Sequence, residues 1–232
     1  MTKGPAYTII VRKKSILNNL NRESTCYLKF LFVVLCLLGI GLPVDTLIGQ
    51  GQYRFLSFGQ EEGLSGSSIR AFLQDHQQFI WIGSDNGLDR FDGRDFLNFR
   101  FDPKSANSLN ANRVNCLALE DERRLWIGTS NGLCHLDLMT GAIERVDVDN
   151  PETAVVAYDI KKVLIDSNGT IWVGTHTKGL FKLSPKTRGE GYHKKQFTPN
   201  NGEGKGLSHL TVEGLFQNDP DYLWIGTKAG VD

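Results

Sequence analysis

Four copies of one short phrase constrain this chain more than any other feature: Phe79-Ile80-Trp81-Ile82-Gly83-Ser84, Leu125-Trp126-Ile127-Gly128-Thr129, Ile171-Trp172-Val173-Gly174-Thr175 and Leu223-Trp224-Ile225-Gly226-Thr227. They hold all four tryptophans, spaced 45, 46 and 52 residues apart. Six residues before each Trp stands a turn-forming polar residue (Asp75, Glu120, Asp166, Asn218), with an apolar stretch ahead of it. Six or seven residues after each Trp comes a Gly followed by an apolar residue: Gly87-Leu88, Gly132-Leu133, Gly179-Leu180, Gly230-Val231. A fixed period of about 20–50 residues is the mark of a repeat architecture.

Each repeat divides into four short strands. In the first they run over 67–74, 79–84, 87–91 and 96–101, linked by Asp75-His76-Gln77-Gln78, Asp85-Asn86-Gly87 and Asp92-Gly93. Gly after Asn or Asp supplies the positive φ that tight hairpins need. Four antiparallel strands in about 45 residues make one propeller blade. Paired helices of similar period are excluded by the 25 glycines, the β-branched residues and the lack of a 3.6-residue pattern. The expected fold is all-β: a partial β-propeller with three complete four-stranded blades and part of a fourth. The blades fall at about 65–102, 110–149, 157–198 and 208–232, within a repeat region spanning 51–232.

The first fifty residues follow other rules. Phe30 to Leu42 is an unbroken apolar run of 13, preceded by Lys3, Arg12, Lys13, Lys14, Arg22 and Lys29 against the single acid Glu23. A basic stretch followed by about 7–15 apolar residues is the layout of a secretory signal. A membrane span needs about 20. Residues 1–50 therefore read as a signal peptide or an uncleaved membrane anchor, which places the repeats outside the cytoplasm.

The phrase Leu125-Trp126-Ile127-Gly128-Thr129-Ser130-Asn131-Gly132-Leu133, behind a strand that ends in an acid, resembles the two-component regulator propeller repeat. The stretch Asn98-Phe99, Asp102-Pro103 and Asn107-Ser108-Leu109 resembles the linkers of that family. The resemblance covers about residues 52–232. It implies a periplasmic sensing propeller ahead of a membrane helix and a cytoplasmic output, either a histidine kinase or a diguanylate cyclase. It further implies a homodimeric receptor that recognises a small molecule or an oligosaccharide. Two other readings stand beside it: a secreted or surface propeller for protein association, and a propeller glycosidase or lyase. Asp166-Ser167-Asn168-Gly169-Thr170-Ile171-Trp172 carries the last, through a partial likeness to the Asp-box of sialidase propellers.

Repetition itself separates scaffold from site. Trp81, Trp126, Trp172 and Trp224 are expected to bury their rings between blades, and Gly83, Gly128, Gly174 and Gly226 to let the next blade approach. Ligand contacts are expected where the repeats differ, on the loops. The candidates are Asp85, Asn86, Arg90, Ser130, Asn131, His176 and Lys178, with Arg94, His135 and Lys228 behind them. Cys116 and Cys134 fall on non-adjacent strands of one blade and are expected as free thiols. The five histidines form no zinc-type spacing, and Gly202-Glu203-Gly204-Lys205-Gly206 departs from phosphate-loop spacing. No catalytic residue, metal or cofactor is indicated. With 26 basic and 26 acidic residues the net charge is zero, which argues against nucleic acid as a partner.

The ends of the repeat region carry one more expectation. Residues 53–58 match the fourth strand of a blade with no first three before them. The fourth repeat stops as its third strand begins. The chain is thus expected to be a fragment of a longer propeller, an open arc with exposed apolar blade faces.

Overall fold

The computed structural model describes residues 7–10, 55–146, 158–186, 191–199 and 206–232. Strands β1 (Tyr7–Ile10) and β2 (Phe55–Phe58) pair as a two-stranded ribbon. This differs from the sequence expectation, which gave the 53–58 segment a partner outside the chain. Strand periodicity alone does not identify a pairing partner. The Phe30–Leu42 run lies outside the described residues. Among the described residues no helix is long and apolar enough to cross a membrane.

The remainder is a series of antiparallel meanders. Blade 1 comprises β3 (Ile69–Gln74), β4 (Ile80–Ser84), β5 (Gly87–Phe91) and β6 (Phe96–Phe99). Blade 2 comprises β7 (Val114–Leu119), β8 (Arg124–Thr129), β9 (Gly132–Asp137) and β10 (Ile143–Arg145). Blade 3 comprises β11 (Ile160–Ile165), β12 (Ile171–Thr175), β13 (Leu180–Pro185) and β14 (Tyr192–Phe197). Blade 4 has three strands, β15 (Val212–Asp219), β16 (Tyr222–Thr227) and β17 (Gly230–Val231). Three complete four-stranded blades and a partial fourth are therefore present, as the spacing predicts.

The repeated residues explain the packing. Trp81 and Leu88 of blade 1 share one apolar cluster with Val114, Leu125, Ile127 and Leu136 of blade 2. Trp126 shares the next with Ile160, Val173 and Phe181 of blade 3. Trp172 packs with Val212, Leu215 and Ile225 of blade 4. Each Trp thus covers the face of the blade that follows it. A Cβ built at Gly83 would lie 2.7 Å from Val114 Cγ1, and one at Gly174 would lie 2.6 Å from Val212 Cγ1. At Gly128 it would collide with Cys116 Sγ and stand 2.7 Å from Ile160 Cγ2. Only a residue without a side chain permits this approach. Trp224 departs from the expectation of a buried ring: it is 52% exposed, with no blade on its face among the described residues.

A feature absent from the sequence reading recurs in every inner strand. The register slips by one residue between Ile69 and Ala71, Val114 and Cys116, Ile160 and Lys162, and Val212 and Gly214. Such a bulge re-aims the extra side chain. The bulged residues are Arg70, Asn115, Lys161 and Glu213, all polar and all different.

Candidate functional site

The hairpin between the second and third strand of each blade is built one way. A hydroxyl at the end of the second strand donates to the carbonyl of the hairpin glycine: Ser84 to Gly87 at 3.1 Å, Thr129 to Gly132 at 2.9 Å, Thr175 to Gly179 at 2.9 Å, Thr227 to Gly230 at 3.1 Å. The same hydroxyl accepts a backbone N–H from the tip, that of Asn86, Asn131, Lys178 or Ala229. The Ser or Thr that closes the repeated phrase is therefore a hairpin lock. The glycine takes a positive φ, 113° at Gly132, a conformation that side chains disfavour.

With its backbone committed, each tip is free to vary in side chain. Backbone bonds then fix the tips against the segments leading into the inner strands: Asp85 N to Ser68 O (3.0 Å), Ser130 N to Arg113 O (2.9 Å), His176 N to Asp159 O (2.9 Å), Lys228 N to Thr211 O (3.2 Å). Asp85, Asn86, Ser130, Asn131, His176, Lys178 and Lys228 thus lie at one end of their blades, beside the bulged residues. The sequence reading missed these lead-in and bulge positions. Their signal was the one used for the tips: a fixed place in the repeat and an identity that changes.

The best-formed part of this end is the seam between blades 2 and 3. Asn115 Nδ2 donates to Asp159 Oδ1 at 2.7 Å and to the Ile160 carbonyl at 2.8 Å. Arg113 Nε donates to Asn115 Oδ1 at 3.3 Å. Gly132 N crosses to Tyr158 O at 2.9 Å. The Tyr158 ring stacks on Phe181, centroids 5.9 Å apart, and Lys178 Nζ sits 5.7 Å from its centre. At the blade 3 to blade 4 seam, the Thr211 hydroxyl donates to the His176 carbonyl at 2.7 Å. His176 Nδ1 is buried without a partner. The seam offers an aromatic face, cations, an acid and amide groups within one loop cluster.

Three candidates belong elsewhere. Arg90 is on β5, directly opposite Trp81, with its guanidinium 4.5 Å from the Phe79 ring centre. His135 is on β9 opposite Trp126, edge-on to the indole at 5.1 Å and 3.4 Å from Glu144. Lys182 takes the same place opposite Trp172, 5.3 Å from its ring. The Arg90 and Lys182 cations lie over the Phe79 and Trp172 rings and the His135 ring meets Trp126 edge-on, so Arg90 and His135 are packing residues rather than loop contacts. Arg94 lies in the β5–β6 turn, at the opposite end.

Blade 1 holds a buried carboxylate, Asp89, whose counterpart in blade 4 is the exposed Asp232, which accepts from Ser208 N at 2.9 Å and from the Ser208 hydroxyl at 3.0 Å. Asp89 accepts from the Ser65 hydroxyl at 2.7 Å, from Ser65 N at 3.1 Å and from Asn98 Nδ2 at 2.5 Å. Burial pushes its proton affinity above the ordinary carboxylate value, while these donors pull it back. It fixes Gly63-Leu64-Ser65, which Asn98 also holds through the Gly63 carbonyl. In blade 2 the position of Asp89 is taken by Cys134, a buried free thiol pushed up to about 12 by desolvation. Cys116 is a free thiol shifted likewise. Such thiols are inert.

Comparisons with known proteins agree with this geometry. A 68-residue stretch, 29% of the chain, is 32% identical to a protein named Histidine kinase P4 from Formosa agariphila, of which it covers 5%. Among solved structures, the extracellular domains of two hybrid two component systems of B. thetaiotaomicron superpose with TM-scores of 0.62 and 0.63 at 21% and 23% identity. They match 75% and 77% of this chain and 25% and 23% of their own lengths. PorZ of Porphyromonas gingivalis, a surface component of the type-IX secretion system, superposes at 0.58 with 17% identity, over 77% of this chain and 27% of its own. The chain therefore spans about a quarter of the solved structures it resembles. Residues 63–86 and 108–131, which run into the first two strands of blades 1 and 2, match the family model described as Two component regulator propeller.

Proposed function

We propose that this propeller is the extracytoplasmic input segment of a bacterial signal-transduction receptor, and that it recognises a polar small molecule or oligosaccharide on the loop end of its blades. The observation that carries the reading is the division of labour within the repeat. Trp, Gly and the hairpin hydroxyl recur in every blade, and in blades 1 to 3 they are consumed by packing and turn locking. The tips, lead-ins and bulges differ from blade to blade and gather at one end. A receptor scaffold needs that division, because recognition requires asymmetry that packing does not. The fold of the B. thetaiotaomicron extracellular domains and the repeat family support the same assignment. The output to which such a segment connects would be a kinase or a cyclase, and the receptor would act as a homodimer.

The chemistry of the seam narrows the ligand. Tyr158 offers a ring face, while Arg113, His176 and Lys178 offer donors and Asp159 an acceptor. A sugar or another polyhydroxylated molecule uses all of these. The test is a thermal-shift screen of neutral and acidic oligosaccharides against the 232-residue chain. At about a hundredfold excess over Kd, binding stabilises by about 2.7 kcal/mol, several degrees in Tm. A hit should vanish in Lys178→Ala, whose ligand-free Tm should be unchanged, and in Tyr158→Ala, whose ligand-free Tm should fall because the ring also packs on Phe181. A hit that survives both variants places the ligand elsewhere, and a blank screen removes the oligosaccharide assignment.

A further inference from the structure

The seams between consecutive blades differ at the end opposite the loop cluster. Where blade 3 meets blade 2, the space beside Trp126 is filled and its charges are matched. Tyr192 of β14 lies edge-on to the Trp126 ring at 5.6 Å, and its hydroxyl accepts from Arg124 Nη1 at 3.3 Å. Arg124 pairs with Glu120 at 3.1 Å, and His135 stands 3.4 Å from Glu144.

Strand register carries these positions onto the seam between blades 1 and 2. Phe79, two residues before Trp81, takes the place of Arg124, two before Trp126. Arg90 lies between Trp81 and Leu97 as His135 lies between Trp126 and Glu144. Ile143 stands two strands out from Leu125 as Lys194 does from Ile171, so Gly141 takes the place of Tyr192. A Cβ built at Gly141 meets nothing within 4 Å. The ring that closes the next seam therefore has no counterpart here.

The counter-charges are missing too. Leu97, 47% exposed, stands in the place of Glu144. The Asp75 carboxylate, in the place of Glu120, is taken by Phe79 N and Trp81 Nε1. Arg90 lies over the Phe79 ring at 4.5 Å, but its Nε is buried without a partner. It forms no ion pair among the described residues. A buried donor left unpaired is costly. Blades 1 and 2 both have four strands, so this opening lies within the series and not at its ends.

We propose that this seam binds a small aryl carboxylate. Its ring takes the place that Tyr192 fills at the next seam, against Leu97 and against Leu138, which packs on the cluster that holds Trp81. Its carboxylate accepts from the Arg90 guanidinium, whose planar fork suits that group. The neighbouring seam identifies the occupant: what it supplies from its own chain, and this seam lacks, is one ring and one anion.

The probe is 3-(4-hydroxyphenyl)propanoate, titrated into the 232-residue chain and followed by NMR. Saturable binding is expected, weakened at least about tenfold by Arg90→Gln, the loss of a charged hydrogen-bond donor. Leu97→Glu sets a carboxylate where blade 2 has Glu144, on a half-exposed position, and should weaken the probe similarly by occupying Arg90. The amide of the probe lacks the anion and hexanoate lacks the ring, and both should bind more weakly than the probe. Arg94→Ala removes an exposed cation from the β5–β6 turn and should leave the titration unchanged. A probe that does not saturate overturns the proposal, as does equal binding to the Leu97→Glu chain. A loss in Arg94→Ala as large as that in Arg90→Gln assigns the effect to surface charge and also overturns it.

Discussion

The indole Nε1 of Trp126 donates to Glu120 Oε2 at 2.8 Å. The residue six positions before each buried Trp is thus more than a turn former. Trp81 donates to Asp75 at 2.8 Å and Trp172 to Asp166 at 2.9 Å in the same way. In Asp75 and Asp166 one carboxylate oxygen holds the turn, Oδ1 accepting from Phe79 N and from Thr170 N, while the other receives the ring. Replacing Asp75 with Ala would leave the buried Trp81 N–H unpaired. The expected loss is about 1–3 kcal/mol, read by urea unfolding. Asp75→Asn, which keeps an acceptor, should lose less; equal losses would assign the effect to the turn alone.

The tryptophans should not be equivalent. Trp126→Ala removes a fully buried ring and should cost about 3–5 kcal/mol. Trp224→Ala removes a half-exposed ring from an uncovered face, and its cost in the monomer should stay below about 1 kcal/mol. Equilibrium unfolding at low protein concentration separates the two, and similar values would contradict the covering scheme.

The glycines sharpen the same point. Gly128→Ala drives a methyl into Cys116 Sγ and Ile160, an overpacking that costs about 1–3 kcal/mol. Gly226→Ala meets only its own strand pair at 3.5 Å and should be close to neutral. Thermal melts of both variants give the comparison.

His135 makes stability depend on pH. Burial lowers its proton affinity, and the Arg124 guanidinium lowers it further, outweighing Glu144, Glu120 and Asp137. In the unfolded chain the ring takes up its proton near pH ~6.5; in the folded chain it does so only at lower pH. As pH falls below that value the unfolded state binds the proton first, and stability declines until the folded ring also protonates. His135→Gln should flatten the decline of stability as pH falls below about 6.5. An unchanged slope would assign it to other groups.

The blades were legible in the sequence because Trp, Gly and the hairpin glycine recur at matched spacing, and packing imposes the same demand in each copy. Arg90 was misplaced because it differs between repeats, and variation alone does not separate a tip from a strand position that faces a Trp. The bulged residues Arg70, Asn115, Lys161 and Glu213 were missed for a different reason. A register slip depends on pairing with the second strand and leaves no mark in the spacing of apolar residues. Asp89 recurs only as Asp232, each 24 residues after the Ser of a Gly-Leu-Ser, while Cys134 and Phe181 take the place in blades 2 and 3, so the period shared by all four repeats did not reveal it. Its partner Ser65 lies 24 residues away, a contact that only the folded meander creates.

Because each Trp and Gly covers the blade that follows and never the one before, cohesion along the arc has a direction. Stability in a repeat array is set largely by nearest-neighbour interfaces, and here every interface is donated forward. Blades 1 to 3 each keep their tryptophan face closed by a successor. Opening one join therefore bares the tryptophan of the earlier blade, while the later blade keeps its own tryptophan face as it was.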